Sequence, residues 1–138
     1  MSWRIWPMSS SEKFPVPSRP LEYVAFFHFE VRTKEGPGYI YLALDAFRDY
    51  AFSLGVEREV TDEMVLRKIY FLMEEPEFEA YADQGFTIVL EEHQNLVDSI
   101  QAIIGPLNGK VLFNKTFNNH MANPVLAHFA QTMRGRKP

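Results

Sequence analysis

The feature that most constrains the fold is a short, wholly apolar segment between two helical patterns. Phe86–Leu90 reads FTIVL and shows no alternation of polar and apolar residues. A strand of this kind is buried on both faces, which is typical of a parallel position within a sheet. Strands and helices alternate throughout this half of the chain. The sequence therefore predicts a mixed sheet that helices cover on both faces.

Three further strands are predicted before this half of the chain. Tyr23–Arg32 and Tyr39–Leu44 are rich in aromatic and β-branched residues, and Tyr50–Val56 resumes an apolar pattern. The break at 34–38 contains two glycines and a proline, which favour a turn. Short breaks of this kind indicate an antiparallel meander. Lys110–Phe113 is predicted to form a short fifth strand.

Three helical patterns complete the order of elements. The first follows Thr61, a good N-cap, and is expected to stop just before Pro76. The second runs from Leu96 to Ile104. The third is predicted to begin with Pro124 at its first position, after a polar loop over 114–122. The order β-β-β-α-β-α-β-α defines a mixed α/β (α+β) class with a five-stranded sheet flanked by helices.

Composition limits the domain organisation and the setting of the protein. The 138 residues suit one domain, which we place at 21–138, after an extended N-terminal arm at 1–20 that holds two Trp and four Pro. The chain has no cysteine, which excludes disulfides and thiolate metal sites and favours a cytoplasmic location. No apolar run approaches the roughly 20 residues of a membrane span, so no membrane partner is expected.

The charge of the chain bears on nucleic-acid binding. The formal net charge is −4, whereas a domain that binds duplex DNA usually gathers Lys and Arg on one face. The only tight basic cluster is in the tail, at Arg134, Arg136 and Lys137. We therefore expect DNA binding to be weak, and a protein partner is at least as plausible.

Two short motifs sharpen the order of elements into a family resemblance. Tyr39–Tyr50 reads YIYLALDAFRDY, with Asp45 and Arg48 between two strands, and Asn123–Phe129 reads NPVLAHF. In this order and spacing they resemble the catalytic core of integrases and transposases, of the ribonuclease H-like superfamily. In that family the first motif is a hairpin with Ile-Asp-x-x-Ser-Arg, so Arg48 stands one place early. The resemblance spans roughly 21–135.

The resemblance implies DNA integration chemistry at three carboxylates that hold two Mg²⁺ or Mn²⁺ ions. The first position falls on Glu30, the second on Glu91 or Glu92, and the third on Ala127. Glu30 and Glu91 are 91 − 30 = 61 positions apart, and Glu91 and Ala127 are 127 − 91 = 36 positions apart. Both separations are typical of the acids in the family that the chain resembles. Glu replaces Asp at two positions and Ala replaces Glu at the third, so we expect these catalytic residues to be vestigial and no cofactor to be needed.

Other interpretations of the same residues stay open. His128 can substitute for the third acid, which gives a possible metal triad of Glu30, Glu92 and His128. Glu30 is otherwise an exposed strand carboxylate, and the segment 91–93 a solvated turn. Satisfied or surface histidines are expected at His28, His120 and His128, which lack metal-ligand spacing, and turn formation is expected from Asp45 and Asp49. Phosphate contact is a further possibility for Asn118, Asn119 and His120.

The functional expectation is an integrase- or transposase-derived pseudoenzyme that acts in nucleic-acid-related binding or assembly. Such a scaffold is expected to bind a protein partner or to form a homodimer. One alternative is a Mg²⁺- or Mn²⁺-dependent nuclease or recombinase with a Glu-based site. The other is an unrelated α+β protein-interaction module.

Overall fold

The computed structural model describes residues 16–48 and 50–135, with backbone only for 128–135. Most of the predicted arm, residues 1–15, and the end of the basic tail lie outside these ranges. The division into an arm at 1–20 and a domain at 21–138 therefore stays a prediction. Within the described residues, no helix is long and apolar enough to span a membrane.

Over residues 16–48 and 50–135 the fold contains five strands and four α-helices. The strands are β1 (Tyr23–Thr33), β2 (Gly36–Asp45), β3 (Tyr50–Glu57), β4 (Phe86–Leu90) and β5 (Gly109–Phe113). The helices are α1 (Asp62–Met73), α2 (Pro76–Ala82), α3 (Val97–Ile104) and α4 (Lys115–Gly135). Thr61 caps α1 as predicted, since its side chain accepts a hydrogen bond of 3.0 Å from the Met64 amide.

The sheet has the strand order β3-β2-β1-β4-β5. β1 pairs antiparallel with β2, and β2 pairs antiparallel with β3, which confirms the predicted meander. β4 lies between β1 and β5 and is parallel to both. Ile88, Val89 and Leu90 are buried, so the prediction of an interior parallel strand at FTIVL is confirmed.

Helices cover both faces of the sheet, because the strands bury apolar side chains on both sides. One face packs against α1 and α3, through a cluster that includes Val24, Phe26, Ile88, Val65, Ile69, Ile100 and Ile104. The other face packs against α4, through Ala25, Phe27, Val89, Phe117, Met121 and Ala122. Alternate residues of β1 therefore point to opposite layers, as the pleat of a strand requires.

The predicted loop at 114–122 is wrong. α4 begins at Lys115, and Pro124 lies inside it rather than at its first position. The cap is Asn114, whose side chain accepts a hydrogen bond of 3.0 Å from the Phe117 amide. The polar residues that suggested a loop belong to the first two turns of a helix whose apolar side faces the sheet.

The hairpin between β2 and β3 turns around a buried carboxylate. Asp45 is fully buried and accepts hydrogen bonds from the Phe47 amide at 3.0 Å, the Leu21 amide at 3.2 Å and Arg48 Nε at 2.8 Å. The predicted turn-forming role of Asp45 is thus confirmed, while Asp49 lies outside the described residues. Burial alone would lower the pKa of Arg48, but its hydrogen bond to Asp45 leaves that pKa raised.

Candidate functional site

The site lies where β4 ends beside the middle of β1. The last parallel pair is Ala25 with Val89, an offset of 89 − 25 = 64 positions. The same offset places Glu91 level with Phe27 and Glu92 level with His28. Ligand sites of α/β proteins lie at such carboxyl ends of parallel strands. The residues that follow β4 therefore meet the side chains of β1 at this junction.

Two histidines and one glutamate converge at the junction. His28 Nε2 lies 3.0 Å from His93 Nε2 and 4.0 Å from a carboxylate oxygen of Glu92. One ligand atom from each of the three residues lies within 4.8 Å of the others. The His28 side chain is 15% exposed and that of Glu92 is 58% exposed, so the cluster has a buried side and an open side.

An unusual backbone conformation turns His93 towards β1. Its φ is +76°, in the left-handed region that residues with a side chain seldom adopt. Its carbonyl then accepts a 2.9 Å hydrogen bond from the Leu96 amide, which closes a 3-10 turn at Gln94–Leu96. The chain reverses within these few residues, so the imidazole returns over the sheet instead of extending into solvent.

The environment of His28 favours the neutral imidazole. Burial lowers the pKa of His28 first, and the charge of a protonated His93 lowers it further, while Glu92 raises it. The ring of Tyr41 lies behind His28, with 5.4 Å between the ring centroids. In the contact with His93, one imidazole donates through Nε2 and the other accepts. A neutral histidine is also the form that binds a metal ion.

The predicted carboxylates are only partly brought together. Glu92 belongs to the cluster, and Glu91 lines the same small pocket beside Phe26 and Leu90. Glu30 is exposed on β1 opposite Tyr39, two residues beyond His28 and so about 7 Å further along the strand. Among the described side chains, Glu30 is in no cluster of three metal-ligating groups.

The residue of α4 that reaches the junction is Asn118. It is fully buried, and its Nδ2 donates hydrogen bonds to the carbonyl oxygens of Phe26 at 2.9 Å and Val89 at 3.0 Å. Its Oδ1 has no hydrogen-bond partner among the described residues. Asn118 therefore binds α4 to β1 and β4 at once, and its amide is directed at backbone rather than at a phosphate in solvent.

The position predicted for the third acid lies further down the same helix. Ala127 is exposed and follows Asn118 by nine residues, which is about 14 Å along a helix axis. The side chain of His128 lies outside the described residues, so its proposed part in a metal triad stays a prediction. The assignment to Ala127 came from the resemblance of Asn123–Phe129 to the family motif and from the step of 36 positions after Glu91.

Comparison with solved structures shows the fold. Two structures of the HTLV-2 integrase catalytic core domain in complex with magnesium, a dimeric and a trimeric form, match with TM-scores of 0.55 and 0.54 at 8% sequence identity. They cover 86% of this chain, which covers 78% and 77% of theirs. The chain thus has the ribonuclease H-like fold of retroviral integrase catalytic cores.

A third match is longer than this chain. It comes from the cryo-EM structure of a simian T-cell lymphotropic virus intasome in complex with PP2A regulatory subunit B56 gamma, with a TM-score of 0.56 and 9% identity. The match covers 79% of this chain but only 44% of that one. No protein-family model and no curated protein matches the sequence.

The donor atoms at the junction do not suit magnesium. Mg²⁺ takes oxygen ligands in near-octahedral geometry. The cluster offers two imidazole nitrogens and one carboxylate, and the nearby amide of Asn118 uses its nitrogen on backbone carbonyls. The cluster of His28, Glu92 and His93 therefore does not match the oxygen-ligand preference of the ion that is present with the HTLV-2 core.

Asn118→Ala should lower the free energy of unfolding by about 1–3 kcal/mol, because it leaves buried carbonyl groups without their donor. Chemical denaturation measures this directly. Asn119→Ala is the matched control, since Asn119 is the exposed neighbour on the same helix. That control should change stability by no more than about 0.5 kcal/mol. Equal effects of the two substitutions would contradict the structural role of Asn118.

Proposed function

We propose that this domain is an integrase- or transposase-derived scaffold that has lost strand-transfer chemistry and serves in a nucleic-acid-related assembly. The observation that carries the proposal is the side-chain set at the strand junction. His28 lies on the α1 and α3 face of the sheet and Asn118 on the α4 face, both near the end of β4, and neither supplies a negative charge. A cytoplasmic location, favoured by the absence of cysteine, belongs to the same proposal.

Electrostatics explains why this set disfavours two-metal catalysis. Two divalent ions bring four positive charges close together, and the protein must offset them with carboxylates at the site. Glu92 supplies one charge beside His28, and Glu91 lies on the wall of the same pocket. Glu30, at the first carboxylate position of the sequence-based set, is exposed to solvent further along β1.

A Mg²⁺- or Mn²⁺-dependent nuclease is the alternative, and one observation favours it. Glu91 and Glu92 follow a buried parallel strand and both line the junction pocket. A site of this kind would depend on these two carboxylates rather than on Glu30. The shared strand order with integrase cores argues against the second alternative, an unrelated α+β module.

A nicking assay on supercoiled and branched DNA tests the proposal. With Mg²⁺ or Mn²⁺, the wild-type chain should give no more product than the Glu91→Gln/Glu92→Gln variant, because too few carboxylates converge to hold two ions. Glu30→Gln is measured alongside as the control for the exposed strand position. Cleavage by the wild type that the double variant loses would support the nuclease alternative and end the proposal.

The negative net charge of the chain and an exposed surface of α1 both favour assembly through protein contacts. The net charge of −4 opposes strong duplex binding. Tyr70 and Phe71, consecutive residues of α1, are 53% and 44% exposed. Aromatic side chains are enriched at protein contact surfaces. The HTLV-2 cores were solved in dimeric and trimeric forms. We therefore propose self-association through the outer side of α1.

Sedimentation velocity tests self-association. The wild type should sediment as a dimer at micromolar concentration, and Tyr70→Ser/Phe71→Ser should sediment as a monomer, because it removes the exposed apolar area that drives association. Leu107→Ser is the control, since Leu107 is exposed to a similar degree outside α1. A wild type that stays monomeric at all concentrations would exclude a homodimer and leave a different protein as the partner.

A further inference from the structure

We propose that His28, Glu92 and His93 form a site for a single first-row transition-metal ion, with Zn²⁺ strongly preferred over Mg²⁺. The inference goes beyond the scaffold proposal and does not depend on it, because a one-metal site can exist whether or not DNA is cleaved. It concerns the same junction of β1 and β4, but a ligand chemistry different from paired magnesium ions.

The distance between the two imidazoles is close to that of a metal site. Nitrogen ligands of a tetrahedral Zn²⁺, with bonds of about 2.0–2.1 Å, lie roughly 3.4 Å apart. His28 Nε2 and His93 Nε2 are 3.0 Å apart. An ion can therefore replace the hydrogen bond if the rings separate by a few tenths of an ångström. His93 lies on a short connection, which can accommodate that shift.

The third ligand comes from a side chain that is free to adjust. A Glu92 oxygen lies 4.0 Å from His28 Nε2, and the side chain is 58% exposed. Rotation about its side-chain bonds can bring the carboxylate to the roughly 2.0–2.2 Å of a Zn–O bond. Two imidazoles and one carboxylate form a ligand set that zinc uses in proteins, with a fourth position left for water or another ligand.

The chemical nature of the donors selects the class of ion. Imidazole suits zinc, copper, nickel and iron, whereas magnesium prefers carboxylate, carbonyl and water oxygens. The site is also largely formed before binding. His28 packs against the ring of Tyr41, its partner on β2, and the left-handed backbone of His93 already directs its imidazole at His28. Of the three ligands, Glu92 is therefore the side chain that binding must chiefly order.

The same geometry allows a second explanation, which the experiment must separate from the first. A hydrogen bond between the two imidazoles can by itself hold the connection after β4 against β1. In that case the two histidines would contribute to stability without metal. A metal site requires in addition that Glu92 takes part, that one ion binds per chain, and that magnesium does not compete.

Isothermal titration calorimetry with ZnCl₂ tests the proposal on the whole chain after treatment with EDTA and removal of the chelator. One Zn²⁺ should bind per chain, and excess Mg²⁺ should not displace it. Substitution of a ligand, in His93→Gln or Glu92→Gln, should weaken binding by about 100-fold or more, since loss of outer-sphere partners alone weakens metal sites by roughly 10–100-fold. His28→Gln is a third variant, interpreted only if circular dichroism shows that it folds.

Two substitutions outside the cluster serve as matched controls. His120→Gln changes a histidine on α4, and Glu79→Gln changes an exposed glutamate on α2. Both should bind Zn²⁺ as the wild type does. The proposal fails if the wild type binds no stoichiometric Zn²⁺, if the controls lose as much affinity as the ligand variants, or if Mg²⁺ displaces Zn²⁺. None of these outcomes depends on the nicking assay.

Discussion

The buried amide of Asn118 is the interaction on which the arrangement of this domain depends. One side-chain nitrogen donates to the carbonyls of Phe26 and Val89, and so connects α4 with two neighbouring parallel strands. The two hydrogen bonds of Nδ2 offset part of the cost of burying this amide, whose Oδ1 has no partner among the described residues, and they fix the position and rotation of the helix on the sheet. The strand junction that it holds is also where the candidate site lies.

The residues that hold the fold together can be distinguished from the residues that would carry out metal chemistry. The strand order and helical layers match those of retroviral integrase cores, at sequence identities of 8–9%. At the end of β4 in this chain, His28 on β1 and Asn118 on α4 are side chains without negative charge. The sheet needs apolar residues on both faces to persist, whereas its edge tolerates any side chain that can be solvated or paired.

The sequence predicts the layers of this fold better than the site. The apolar run at β4 and the helical spacing of α1 and α3 are local signals, and they indicated the correct elements. The pairing of His28 with His93 joins residues 65 positions apart, and it depends on the register of β1 against β4, which no local pattern encodes. Asn118 was assigned to a loop because Asn residues and a nearby Pro favour loops. The overlooked local signal was Asn114, whose side chain can cap a helix that starts at the next residue.

A single metal ion held by two histidines at the end of β4 would distinguish this domain most clearly from a site for two magnesium ions. The most direct measurement is a crystal structure grown with Zn²⁺ and Mg²⁺ together, with anomalous data on both sides of the zinc absorption edge. The account predicts one zinc peak bonded to Nε2 of His28, Nε2 of His93 and the Glu92 carboxylate, with Asn118 still bound to its two carbonyls. A pair of magnesium ions held by Glu91 and Glu92, or a junction without zinc, would contradict it.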